Sequence, residues 1–297
     1  DKYHDVSKQL VAMGDEANDT LDMARGYQYI GDYFTDRSIP DSSYFYFTKA
    51  EKLLAETDDR ENFGRVKLKK GYLIYKINDL ASSEAIAIQA LKIAHEVKDL
   101  TLEYECYNFL SSVLTAQNKY DEAIQYNEKA LKTLDEFTDD PQYFTLLKSQ
   151  TYNSIGTVFM SKKEFKIAAD HFKKGLEMPD LLTIHPAYYA YIWDNLIYCR
   201  EKMGDKNVLG DYKNCLKIRD STGDLAGIVT SKIKLANYYL SKKDTVLALE
   251  SIREARKQAE EIKSVGDVNE SLQVLAKADV KNSPIYFEKY VTLTDEN

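Results

Sequence analysis

Apolar residues recur along this chain at helical spacing, with polar residues between them, and no alternation of period two runs long enough to make a strand. The stretch from Tyr104 to Leu131 shows the pattern most clearly. In its first half Tyr107, Leu110 and Leu114 fall at i, i+3 and i+7, on one face of a helix. Asn118-Lys119 then interrupts the pattern. In the second half Ala123, Asn127, Ala130 and Leu131 share a face, with small side chains where two helices must approach closely. The spacing predicts two helices joined by one turn.

The same unit recurs. Ala50, Ala90, Ala130, Gly175, Cys215 and Ala255 mark equivalent second-helix positions, separated by 40, 40, 45, 40 and 40 residues, and each is followed within three residues by an apolar one. This predicts an all-α chain of stacked helical hairpins forming one domain over 1–297. Residues 1–15, with Tyr3, Val6, Leu10 and Met13, read as a leading helix. Repeats follow at 18–58, 61–98, 101–137, 141–178, 185–221 and 224–263, and 266–297 reads as a shorter closing repeat. Turn and start signals stand at Ile39-Pro40-Asp41-Ser42, Met203-Gly204-Asp205 and Asn282-Ser283-Pro284. The extra residues of the longer step fall between Pro179 and Pro186. The 5 Pro and 12 Gly are expected almost entirely at such turns.

The order of residues from Tyr104 to Leu131 (large apolar, Leu, a turn with Asn, Tyr, Ala, then Ala-Leu) resembles a tetratricopeptide repeat. The resemblance implies a right-handed α-solenoid of about 6–7 hairpins, with a period near 40 rather than the family's usual ~34. Long-repeat members, including bacterial peptide-sensing regulators, are similar. It also implies a concave face, lined mainly by first helices, on which such proteins bind their partners. Carried onto this sequence, the inward positions are Arg25, Gln28 and Asp32, then Arg65, Tyr72 and Tyr75. Asn108 and Ser112 follow in repeat three, Asn153 and Thr157 in repeat four, and Asp194, Tyr198 and Asn237 in repeats five and six. An Asn amide offers both a donor and an acceptor, so a row of Asn suits the backbone of an extended peptide. The family's carboxylate clamp needs paired Lys and Asn at successive inward positions. Arg65 is the only cation in the middle of this row, so that mode is not expected.

Charge narrows the partners. The chain carries 40 Lys+Arg against 48 Asp+Glu, a net −8, and has no basic run, which argues against nucleic-acid binding. Mean hydropathy is −0.48 and no long apolar run occurs, so no membrane insertion is expected of this segment. Cys106, Cys199 and Cys215 lack metal or disulfide spacing and read as small buried hydrophobes. His4, His95, His171 and His185 are scattered, and acidic pairs such as Glu260-Glu261 and Asp139-Asp140 read as solvated helix ends and turns. No nucleophile elbow, phosphate loop or metal motif appears, so neither an enzyme nor a cofactor is expected. The 23 Tyr suit packing, with the hydroxyl at a wet rim.

The functional expectation is a non-enzymatic protein- or peptide-binding module. Its Tyr- and Lys-rich repeats, and the closing stretch Phe287–Asp295, are similar to sensor regions of Bacteroidetes-type signalling and transcriptional regulators. That likeness implies tethering to a membrane helix or output domain, with the envelope favoured over the cytoplasm. The start at Asp1 suggests a processed or trimmed product. A stand-alone envelope scaffold and a cytoplasmic peptide-pheromone receptor are the alternatives.

Overall fold

The computed structural model describes residues 2–37, 39–136 and 141–295. Asp139 and Asp140, and the repeat limits at 137 and 297, lie outside them. The described residues form sixteen α-helices and one 3-10 turn, without a strand. They divide into two compact units, Asp1–Phe144 and Thr145–Asn297.

The first unit contains α1 (Lys2–Ala17), α2 (Thr20–Asp36), α3 (Pro40–Leu54), α4 (Arg60–Lys76), α5 (Leu80–Val97), α6 (Leu100–Ala116) and α7 (Tyr120–Asp135). Helix α2 pairs with α3, α4 with α5, and α6 with α7, while α1 packs on α2. The second unit follows α8 (Pro141–Ser161) with α9 (Phe165–Leu176), the single turn α10 (Leu181–Ile184) and α11 (Pro186–Lys202). It continues through α12 (Leu209–Thr222), α13 (Leu225–Ser241), α14 (Thr245–Glu261) and α15 (Val265–Ala278), then a 3-10 turn at Val280–Asn282 and α16 (Ser283–Asp295). The extra residues near Pro179 become α10.

A two-residue device makes five of the turns. A residue in the left-handed region closes one helix, and an Asp directly after it caps the next. Asn18, Asn78, Lys98, Gly223 and Lys243 take positive φ. Behind them, Asp19, Asp79, Asp99, Asp224 and Asp244 accept backbone N–H bonds from the first turns of α2, α5, α6, α13 and α14. Asp59 caps α4 by accepting the Asn62 N–H, without a left-handed residue before it. Each cap satisfies a donor that the helix start would otherwise leave unpaired.

The core follows the repeat register. Ala50, Ala90, Ala130, Cys215 and Ala255 are fully buried, and Gly175 is buried with them. The three cysteines are free and buried, and burial pushes the Cys199 thiol up to about 11. The glycines differ from expectation. Only Gly204 and Gly223 take positive φ at turns; the other ten lie within helices. At two of these the reason is close approach of a ring: a Cβ on Gly31 would lie 2.5 Å from Phe47, and one on Gly156 would lie 2.5 Å from Phe172. Each glycine makes room for an aromatic ring from the second helix of its own hairpin.

Candidate functional site

In the first unit the first helices α2, α4 and α6 carry a regular ladder of contacts. Arg25 of α2 lies 3.7 Å from Asp59, the cap of α4, and Arg65 of α4 lies 2.5 Å from Asp99, the cap of α6. One helix on, the same contact recurs. A second rung pairs Asp32 of α2 with Lys69 of α4 at 2.7 Å, while Tyr72 of α4 lies on Phe109 of α6 with ring centroids 4.0 Å apart. Both contacts span 37 residues, so one register position is ionic in one step and aromatic in the next.

This face is electrostatically occupied. Arg65 also bonds Glu61 and approaches Glu105 at 3.8 Å. Desolvation raises the carboxyl pKa of Glu105, against the opposing pull of Arg65, and does the same to Asp32 against Lys69. What remains open is neutral. Tyr72 is 41% exposed although its ring is seated on Phe109. Asn108 is half-buried beside Phe109, and its side-chain amide makes no hydrogen bond among those described. Ser112 is exposed and donates to the Asn108 carbonyl at 3.1 Å. Tyr75 meets Phe109 edge-on at 5.9 Å.

The second unit places its candidates differently. Asn153 is buried, and its side-chain Oδ1 accepts a bond from Asn195 Nδ2 at 3.1 Å. Thr157 bonds back to the Asn153 carbonyl. Asp194 is fully buried against Arg219 at 2.8 Å and Lys234 at 3.5 Å. Burial depresses the Lys234 ammonium pKa, with Asp194 opposing. Tyr198 is exposed, edge-on to Phe165 and beneath the Lys202 ammonium at 5.1 Å. Asn237 is exposed.

The sequence-predicted residues therefore fall into two sets. Arg65, Tyr72, Tyr75, Asn108 and Ser112 lie on α4 and α6 of the first unit, and Asn153, Thr157, Asp194, Tyr198 and Asn237 lie on α8, α11 and α13 of the second. Asn153 and Asp194 are committed to internal partners. Sequence reasoning missed Lys69, Phe109, Asn195, Arg219 and Lys234. One signal was available: Arg219 stands four residues after Cys215, where four other repeats carry Leu54, Ala94, Leu134 and Ala259 and the fourth repeat carries Pro179. A charge in that core slot needs a buried counter-charge. Among the described residues no group of His, Cys, Asp and Glu could hold a metal ion, and no helix is long and apolar enough to cross a membrane.

Residues 105–134, covering most of α6 and α7, match the tetratricopeptide repeat family. No curated protein matches the chain in sequence. Solved structures share its fold. Aspartyl phosphate phosphatase F of Bacillus subtilis is 20% identical with a TM-score of 0.73, over 97% of this chain and 75% of that one. The Rap conjugation gene regulator of the plasmid pLS20, in complex with a Phr peptide, is 15% identical with a TM-score of 0.70, over 95% of this chain and 76% of its own. A Signal Transduction ATPase with Numerous Domains from Pyrococcus horikoshii, which has a tetratricopeptide repeat sensor, is 13% identical with a TM-score of 0.61, over 99% of this chain and 46% of that one. One tetratricopeptide repeat is matched at residues 105–134, and the tandem helical hairpins share the helical-repeat fold of these solved structures.

Proposed function

We propose that this chain is a non-enzymatic peptide- or protein-binding region of a bacterial signalling or regulatory protein, and that the α2–α4–α6 face of the first unit engages an extended peptide. The observation that carries this reading is the state of that face. Its Arg, Lys, Asp and Glu are paired with one another, while the Tyr72 ring, seated on Phe109, is exposed and the amide of the neighbouring Asn108 makes no described hydrogen bond. An exposed Tyr seated on a buried Phe offers apolar area at little entropic cost. An uncommitted Asn can serve a peptide N–H and C=O together. Structural relatives that are sensors, or that were solved with a peptide, lend support at the level of fold.

The test is a thermal-shift screen of the wild-type chain and of Tyr72→Ala and Asn108→Ala against pools of capped peptides. A peptide present at 100 times its Kd adds about 2.7 kcal/mol to the folded state. A wild-type shift that both substitutions abolish supports the reading. A shift that both retain moves the site elsewhere. No shift from any pool points to a folded protein partner instead.

A further inference from the structure

Away from that face, the first unit holds a cavity of about 450 Å³ where the start of α3, the end of α4 and the start of α5 meet. It is within the range of small-ligand sites. Leu73 and Ile74 of α4, Ile77 directly after it and the Tyr44 ring of α3 supply its apolar lining, and Asp41 and Asp79 supply carboxylates. Ile77 is 72% exposed and Tyr44 is 41% exposed.

The next junction in the chain shows what closes such a gap. Counting forward by 40 residues, Ile77 becomes Gln117, Asp79 becomes Lys119, Tyr44 becomes Glu84 and Pro40 becomes Leu80. There Gln117 Nε2 donates to the Leu80 carbonyl at 3.3 Å and to Glu84 at 2.8 Å, and Lys119 reaches Glu84 at 3.2 Å. Three polar bolts seal that junction. At the earlier one the same positions are Ile, Asp and Tyr, and among the described residues no hydrogen bond joins them: the Asp79 carboxylate is taken up by Ser82 in its own cap. The hairpins part and leave apolar surface below acidic groups.

We propose that this open junction is a docking site for a partner peptide segment carrying a lysine or arginine beside an aliphatic or aromatic side chain. Charge complementarity selects that occupant. Asp41 and Asp79 are the charged groups among the lining residues. Lys70, whose ammonium lies 4.8 Å over the Tyr44 ring, is held by Glu51 at 2.5 Å. Lys76, next to Ile77, does not line the cavity. The hydrogen bonds from Ser82 hold the Asp79 carboxyl below the usual carboxylate range, so it stays charged at neutral pH. The partner's apolar side chain displaces water from Leu73, Ile74 and Tyr44, and its cation reaches the two carboxylates. The site is separate from the α2–α4–α6 face and stands or falls independently of it.

The experiment is a titration of the isotopically labelled full chain, followed by NMR, with acetyl-Arg-Leu-Phe-amide and acetyl-Glu-Leu-Phe-amide. The expected result is shifted amides at Ile74, Ile77 and Ser82, with the Arg peptide bound about fivefold more tightly at low salt, a preference that salt erodes. Asp41→Asn with Asp79→Asn removes the preference while keeping the α5 cap, because Asn caps as well as Asp. Ile77→Gln restores the polar bolt and abolishes the shifts. Asn108→Ala leaves them unchanged. Equal affinity for the two peptides, shifts that map elsewhere, an absence of binding, or indifference to Ile77→Gln overturns the proposal.

Discussion

Arg219 and Asp194 form a buried ion pair, Nη1 lying 2.8 Å from Oδ2 with the side chains 2% and 0% exposed. The approach is ionic rather than a directional hydrogen bond. Arg219 Nη1 also donates to the Gly227 carbonyl and the Ser231 hydroxyl, so one guanidinium ties α11, α12 and α13 together. Breaking such a pair from one side strands a charge, whereas replacing both partners with apolar groups is often neutral. Arg219→Met leaves Asp194 with Lys234 alone and is expected to cost about 3 kcal/mol. The triple variant Asp194→Leu with Arg219→Met and Lys234→Met recovers most of that loss, because Lys234 would otherwise lose its counter-charge. Urea unfolding of both decides it, and a single variant with an unchanged midpoint would show that the pair stabilises nothing.

The glycines opposite aromatic rings make a sharper steric prediction. Gly156→Ala places a methyl 2.5 Å from Phe172 Cε1 and 2.9 Å from Cζ, and Phe172 is fully buried, so the ring cannot swing out. Overpacking of this kind costs about 1–3 kcal/mol. Trimming the ring with Phe172→Leu in the same chain recovers part of it. Gly210→Ala is the control, since nothing lies within 4 Å of its added carbon. It leaves the midpoint unchanged or raises it slightly. If the two alanines behave alike, the glycines are not there for packing.

Asp99 does two jobs that can be separated. Its Oδ1 accepts the Leu102 N–H at 3.0 Å, and its Oδ2 takes the Arg65 guanidinium. Asp99→Ala loses both and is expected to cost about 2 kcal/mol, against about 1 kcal/mol for Asp244→Ala, which loses a cap. Asp99→Asn keeps the cap and gives up the charge. Its midpoint should therefore fall between wild type and Asp99→Ala, with a difference from wild type that shrinks as salt rises.

How much of this was legible follows from which residues carry the signal. The all-helical hairpin fold was readable because the small residues from Ala50 to Ala255 recur at fixed spacing and each is buried. Some turns were not. Lys98, Lys163, Lys243 and Lys263 hold left-handed positions, where Gly or Asn is the usual marker. Glycine misled for the converse reason, since Gly31 and Gly156 serve ring packing inside helices rather than turns. On the candidate face, Arg65 and Asp32 could be chosen from the register, but their saturation by Asp99 and Lys69 could not. Those partners come from the next first helix, 34 and 37 residues on, and only packing brings them within reach.

His171 gives the second unit a predictable response to acid. Its ring stacks on Phe159 with centroids 5.5 Å apart and planes inclined by 10°, and its Nδ1 is buried without a hydrogen-bond partner. Burial pushes the imidazole pKa below its ordinary 6.5; Lys174 adds to the shift and Asp170 opposes it. The folded ring therefore releases its proton more readily than the unfolded one. Below 6.5 the unfolded chain binds more protons than the folded chain, so stability falls as pH falls. The contribution is fully present above 6.5 and is lost as pH drops through the folded value. His4 is shifted in the same direction, so the slope of the wild type alone does not isolate His171. His171→Phe keeps an aromatic ring against Phe159 and removes the titration. Thermal unfolding of both proteins should give nearly equal midpoints at a pH of about 7.5. By a pH of about 5 the variant should be the more stable, because only the wild type gives up the His171 contribution. Parallel profiles across that range would mean that His171 takes up its proton within the fold as easily as in water.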